Sequence, residues 1–280
     1  MASCLVAEHG LSVSRATAAV KLSRSAYYRK PVKDQAGRLR RDRPVIDALN
    51  DLVEKQSRWG FWMCFDRLRL DGHPWNHKRV WRVYCEMKLN LPRRKKKRLP
   101  MRERQSMEVI PLPNQVWSMD FMSDALYRGR RFRTLNILDE GVRELLAIVI
   151  DTSIPSGRVI RTLDQLLECR GKPAAIRVDN GPEFCAQAFI DWCKEHGIEI
   201  RYIQPGKPNQ NAFIERFNRS YRNEVLDAHL FSSLEQVREI TAGWMKIYNE
   251  YRPHRALGRI PPAMYVRNLK LENSSLELST

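Results

Sequence analysis

Apolar residues recur along this chain with two different periods. In "DRPVIDALNDLVEKQSRWGF" the residues Val45, Ile46, Leu49, Leu52 and Val53 stand at helical spacing and predict a helix. Phe65, Leu68 and Leu70 predict a short helix closed by "DGHP". Asn76 caps another over "HKRVWRVYCEMKL", with Val80, Trp81, Tyr84 and Met87 facing inward and Lys78, Arg79 and Arg82 outward. Ahead of these, "LSVSRATAAVKLSRSAYYR" reads as two short helices, the first capped by Ser12 or Ser14 and the second by Ser23. That outline fits a helix-turn-helix and a plain helical hairpin equally, since Lys21 stands in the turn where the motif often has glycine.

From Asn114 the pattern alternates instead. "QVWSMDFMS", "RFRTLNILDE" and "ELLAIVID" predict three strands joined by hairpin turns at "YRGRR" and "EGVR". A helix (residues 156–169), a strand "AAIRVD", a helix opening at "GPEF", a strand "IEIRYI" and the loop "QPGKP" follow. The helix "KPNQNAFIERFNRSYRNEV" comes next, and "SLEQVREITAGWMKIYNEY" is the last helix predicted. Three antiparallel strands followed by alternating helix and strand make an α/β fold, a mixed sheet with helices on both faces, behind small all-α modules. The expected divisions are 1–35 (helix-turn-helix-like), 44–92 (a second, helix-turn-helix-like helical module), 93–113 (basic linker), 114–268 (the mixed-sheet core) and 269–280 (a loose tail).

Charge changes this picture more than composition does. The net charge is +17, and residues 1–104 carry 26 Lys and Arg against 10 Asp and Glu, whereas the rest is nearly balanced. A front third so basic is suited to a polyanion, which points to nucleic acid. The run Arg93, Arg94, Lys95, Lys96, Lys97 and Arg98, flanked by prolines, reads as a linker that also meets phosphate. Six scattered cysteines without a C-x-x-C pair predict reduced thiols and a cytoplasmic protein. The longest aliphatic run, Leu145 to Ile150, is too short for a membrane span. His73 and His77 have zinc-finger spacing but no cysteine pair to match, so they read as turn and helix-start residues.

The chemistry concentrates in three acids. On a helical wheel with Phe213 at zero, Ile214, Phe217, Tyr221 and Val225 form the buried stripe, while Asn211, Glu215, Asn218 and Arg222 share one edge beside it. Arg216, Arg219 and Asn223 fall on the outer face. Asp120 lies mid-strand and Asp179 ends a strand ahead of an Asn-Gly-Pro turn, where sites assemble in open sheets. Singly, each acid has an ordinary explanation as a wet strand position, a turn former or a helix surface residue. Asp179 and Glu215 are separated by 35 residues.

"WSMDF", "RVDNGPEF", "PGKPNQNAFIERFN", "LFSSLEQVRE" and "YNEYRPHRALG" together resemble the transposases of IS3-family insertion sequences, of the OrfB type with a DDE integrase catalytic core. The resemblance implies an RNase H-like fold whose catalytic and metal-holding acids are Asp120, Asp179 and Glu215, with two Mg²⁺ or Mn²⁺ ions. It implies cleavage and transfer of DNA strands at the ends of a mobile element. Lys207, Asn211, Asn218 and Arg222 are then expected at DNA, as are Lys78, Arg79 and Arg82 in the front module. His254 matches a family signature without an evident chemical role. In "ILDEGVRE" many members have two Asp and an aromatic; Glu140, Gly141 and Val142 stand here, in a turn not expected to bind metal. "WGFWMCFDRL" is also more apolar than the basic helix often found there, which bears on the second DNA-binding module. Expected partners are double-stranded DNA, further copies of the chain, and an upstream helix-turn-helix and coiled-coil product to which members are often fused. The alternatives are a nuclease of the same fold that does not join strands, and a non-catalytic DNA-binding remnant or regulator.

Overall fold

The structure, a computed structural model, describes residues 1–28, 35–92, 110–204 and 211–277. The front consists of helices α1 (Ala2–Ala7), α2 (Val13–Ala19), α3 (Arg24–Tyr27), α4 (Gln35–Lys55), α5 (Phe61–Leu70) and α6 (His77–Glu86). Ser12 caps α2 and Ser23 caps α3, each accepting from an amide three residues on. Lys21 between them takes a left-handed backbone, with φ at 51°, so the turn has the shape that glycine ordinarily supplies. Helix α4 begins well before the predicted start and carries Pro44 within it.

Helices α4 to α6 enclose their own core of Val45, Leu49, Trp59, Cys64, Val80 and Tyr84. Val83 takes the inward position expected of Trp81, which is 42% exposed. Positions 80, 83, 84 and 87 share a helical face, and position 81 points a full 100° away from 80. Ion pairs hold the module together: buried Asp42 joins Arg79 at 3.0 Å and Arg82 at 2.8 Å. Burial opposes ionisation of Asp42, but the two guanidiniums prevail and hold its carboxyl below the ordinary value.

Strands β1 (Val116–Ala125), β2 (Arg131–Asp139) and β3 (Leu145–Asp151) form an antiparallel meander. After α7 (Ser156–Arg170), β4 (Ala175–Val178), α8 (Gln187–Glu195) and β5 (Glu199–Tyr202) complete a five-stranded sheet in the order β3-β2-β1-β4-β5. Both β4 and β5 run parallel to β1. Helix α8 starts later than predicted because "GPEF" folds as a turn, with the amides of Phe184 and Cys185 both bonded to the Gly181 carbonyl. The chain ends in α9 (Ala212–Glu224), α10 (Leu234–Lys246) and α11 (Pro262–Glu277). Helix α11 was not foreseen, and it runs through most of the stretch expected to be a loose tail.

Alternation along the strands assigns the two faces. Trp117, Met119, Leu135 and Ile137 pack beneath α7 and α8 with Phe189 and Trp192. Phe132, Leu138 and Leu145 pack on the other face against Ile214, Phe217 and Tyr221 of α9 and Trp244 of α10. This is the mixed sheet with helices on both faces that the periodicities predict. None of the helices among the described residues is long and apolar enough to cross a membrane.

The β2–β3 turn is closed from above by residues 110–112. A methyl group at Gly141 would stand 2.1 Å from the Leu112 carbonyl oxygen and 2.8 Å from that of Ile110. Both obstacles are backbone, so Gly141→Ala should cost about 1–3 kcal/mol or more. Urea unfolding should show this as a lower midpoint with an unchanged slope; an unshifted midpoint would mean that the strap yields freely. Beside it, Glu140 is buried and paired with Arg177 at 2.8 Å, and Ser118 donates to the same carboxylate.

Candidate functional site: three acids and an amide relay

Asp120 is opposite Asn136 in the β1–β2 register, on the face covered by α9. Its backbone neighbours pack toward the other face, which leaves the carboxylate looking at α9. There Asn218 Nδ2 donates to Asp120 Oδ2 at 2.6 Å, while Asn136 Nδ2 donates to Asn218 Oδ1 at 2.7 Å. The second bond fixes which way the Asn218 amide points, because its oxygen is already engaged. Two buried amides thus hold one carboxylate in place.

Asp179 comes alongside through the parallel pairing of β1 and β4. Val116, Trp117 and Ser118 pair with Ala175, Ile176 and Arg177, and the same register carried on brings Asp179 level with Asp120. Its carboxylate accepts the Gly181 amide at 3.1 Å, which ties it into the turn that follows the strand. Glu183 of that turn pairs with Arg133, whose guanidinium lies 4.2 Å from the Phe121 ring centre. Glu215 stands exposed in the first turn of α9.

Asp120 feels the other two acids. Burial first, then the charges of Asp179 and Glu215, push Asp120 up to about 6 against the opposing bonds from the Phe121 amide and Asn218. Still, among the described residues no three His, Cys, Asp or Glu side chains stand close enough to grip an ion as they are.

The remaining expected site residues are placed less simply. Asn211 and Asn218 are buried at 4% and 9% exposure, so neither offers a surface to DNA, and Asn218 instead positions Asp120. Arg222 pairs with Asp124 at 3.1 Å and bonds the Ser123 carbonyl at 2.9 Å, which fastens α9 to the end of β1. Arg79 and Arg82 spend their charge on Asp42, whereas Lys78 is exposed. Lys207 and the run Arg93, Arg94, Lys95, Lys96, Lys97 and Arg98 lie outside the described residues. The residue that reading the sequence missed is Asn136. Its signal was an amide at an inward position of an alternating strand.

His254 turns out to be structural in its surroundings. Its amide bonds the Ile260 carbonyl at 3.1 Å, and its ring meets Tyr248 edge to face at 4.8 Å. Burial, with the Arg252 charge beside it, pushes the imidazole down to about 3. The folded chain therefore keeps it neutral while the unfolded chain, titrating near 6.5, takes up a proton. Stability from this group is complete above that value and falls by about 1.4 kcal/mol per pH unit below it, until the folded value is reached. Thermal melts between pH 7 and 5 should show a shallower decline for His254→Gln than for the parent. Equal slopes would mean that the imidazole is solvated.

Comparison with known proteins agrees with this architecture. Integrase core domain models match residues 111–208 and 196–262, and an HTH-like domain model matches residues 40–97. An uncharacterized 39.2 kDa protein of the insertion element IS476 from Xanthomonas euvesicatoria is 41% identical over 265 residues, covering 95% of this chain and 75% of that protein. A 31.7 kDa protein of IS407 from Burkholderia multivorans is 38% identical, covering 91% and 90%. A transposase for the insertion sequence element IS629 from Shigella sonnei is 25% identical over 55% of this chain and 52% of its own length. Among solved structures, a chain of a simian T-cell lymphotropic virus intasome in complex with PP2A regulatory subunit B56 gamma superposes with a TM-score of 0.51. It does so over 78% of this chain and 74% of that one, at 16% identity, a likeness of fold.

Proposed function

Because the chain belongs to the IS3 family of insertion-sequence transposases, we propose that Asp120, Asp179 and Glu215 are its catalytic acids and would hold two divalent ions, Mg²⁺ or Mn²⁺. The protein is a DNA transposase with an RNase H-like integrase core behind an HTH-like domain. What supports the assignment of the acids is one observation: Asp120, secured by Asn218, carries the combined cost of burial and of the charges of Asp179 and Glu215.

The donor set fits the ions. Hard carboxylate oxygens suit Mg²⁺ and Mn²⁺, and a cation offsets both the burial and the neighbouring charges that raise Asp120. When bound, such ions activate an attacking water or 3′-hydroxyl and stabilise the leaving oxygen of an in-line displacement. The chain's own residues supply the frame. The Asn136–Asn218 relay orients Asp120, the Gly181 amide orients Asp179, and α9 carries Glu215 on its exposed side. No protein nucleophile is needed. Lys78, Lys207 and the basic run from Arg93 to Arg98 are proposed to meet phosphate and to hold the duplex while both strands are processed. Assembly of several copies on DNA, with an upstream helix-turn-helix product, belongs to the same proposal.

The test is a joining assay with the full chain, a supercoiled target and DNA carrying the segments that flank the gene. Strand-joined products should form with Mg²⁺ or Mn²⁺ and disappear on chelation, with recovery when the ion is restored. Cleavage without joining would establish the nuclease reading instead, and products that persist in chelator would remove the ions from the reaction.

A further inference from the structure

A cavity of about 580 Å³ opens where α5 of the front module meets α9 and the segment after α10. That volume lies in the range of roughly 300–1,000 Å³ typical of small-molecule sites. Arg143, Arg216, Arg252, Arg255 and Arg259 line it against a single acid, Asp66. The acid is already taken, by Arg259 at 3.0 Å, and Arg252 pairs with Glu224 at 2.7 Å. Neither Arg216 nor Arg255 has a carboxylate within 4.0 Å among the described residues. Arg143 stacks 3.6 Å from the Phe213 ring centre, and burial there lowers its hold on its proton, with Arg216 adding to the effect.

Two polar atoms lie closed off behind this wall. Arg252 Nε and His254 Nε2 are both shielded from solvent and make no hydrogen bond. The cavity offers guanidinium donors for anionic oxygen and the rings of Trp62 and Phe213. Inorganic phosphate uses the first of these; a nucleotide uses both.

The cavity also adjoins a groove that reaches Glu215, one of the three proposed acids. A second groove of about 560 Å³ runs from Glu215 past Arg219 and Arg58, and it shares Ala212, Arg216, Ser220 and Arg252 with the first. We propose that this track conducts one DNA strand away from the catalytic acids and that the arginine cavity receives an unpaired nucleotide of that strand. The proposal rests on the reading of the acids only for where the strand comes from. It turns the outer face of α9, with Arg216 and Arg219, toward DNA, in place of the edge that carries Asn211 and Asn218.

The experiment compares the full chain on a blunt duplex and on the same duplex with a short oligothymidine tail containing 4-thiothymidine. The tail should tighten binding about tenfold, the scale of one stacked base, and should crosslink within residues 248–259 or 58–66. Arg216→Ala with Arg255→Ala should abolish that advantage and reduce the salt slope on the tailed substrate by about 1.4, as expected for two lost single-strand phosphate contacts. Arg255→Lys, which keeps the charge, should retain part of it. Asp120→Asn should keep the full tail preference, so a failure of the catalytic assignment remains separate from a failure here. The proposal is overturned if the double variant prefers the tail as strongly as the parent. It is equally overturned if an abasic tail binds as well as a thymidine tail, or if millimolar inorganic phosphate displaces the tail, since either result describes a simple anion site.

Discussion

Asp120→Asn should reduce DNA cleavage and joining by roughly 10³-fold or more, the scale on which loss of one electrostatic catalytic group acts, while the chain stays folded and still binds DNA. The substitution preserves size and leaves an oxygen to accept from Asn218 Nδ2, so the relay at 2.6 Å can persist. What it removes is the charge. In the ion-free protein that charge is unfavourable, being half-buried and facing Asp179 and Glu215. The variant should therefore melt no lower than the parent, the usual exchange of stability against activity at a catalytic site. Asp179→Asn and Glu215→Gln should lose activity likewise. Binding affinity, melting temperature and single-turnover joining measured together decide the matter. Retained joining in any one of the three would remove that residue from the assignment, and a collapsed melting temperature in Asp120→Asn would show that its role is structural.

Asn218→Ala should lower the rate at saturating DNA by about 10- to 100-fold, as loss of a group that orients a metal-site residue commonly does. Apparent affinity for DNA should barely change, because Asn218 is buried and has no surface to offer a strand. The same substitution strands Asn136 Nδ2, whose amide oxygen is already buried without a partner, so a loss of about 1–3 kcal/mol in stability accompanies it. Asn218→Asp is more severe, since a carboxylate cannot donate to Asp120 and adds a further negative charge beside it. An increase in the Mg²⁺ concentration needed for half-maximal rate would identify the residue as one that positions Asp120. Weakened DNA binding with an unchanged saturated rate would return Asn218 to the role of a DNA contact.

Why the relay escaped a reading of the sequence is instructive. The wheel grouped Asn211, Glu215, Asn218 and Arg222, but an angle about one helix axis says nothing of how far the neighbouring sheet reaches around it. Asn218 lies buried against the central strand β1 and its neighbour β2, while Glu215 is exposed. Arg222 likewise had a free guanidinium on the wheel, and only the approach of β1 delivers Asp124 to it. In the front module the basic faces were legible, yet Asp42, 37 residues before Arg79 in the chain, consumes two of the charges.

The local sequence determined the elements and the family. Alternation in "VWSMDFM" and "TLNILD" set the faces of the sheet, Ser12, Ser23 and Asn76 set helix starts, and five ordered motifs, with 35 residues between Asp179 and Glu215, placed the chain in a family. These properties depend on neighbours one to four positions apart, or on spacing alone, so a linear reading reaches them. Which side chains are spent and which remain available depends on partners far apart in the chain. Asn136 meets Asn218, Arg177 meets Glu140, Asp66 meets Arg259, and α5 closes the arginine cavity against α9 only once both modules have packed. A charge or an amide is a functional group only when the fold leaves it unpaired, and that condition belongs to tertiary structure.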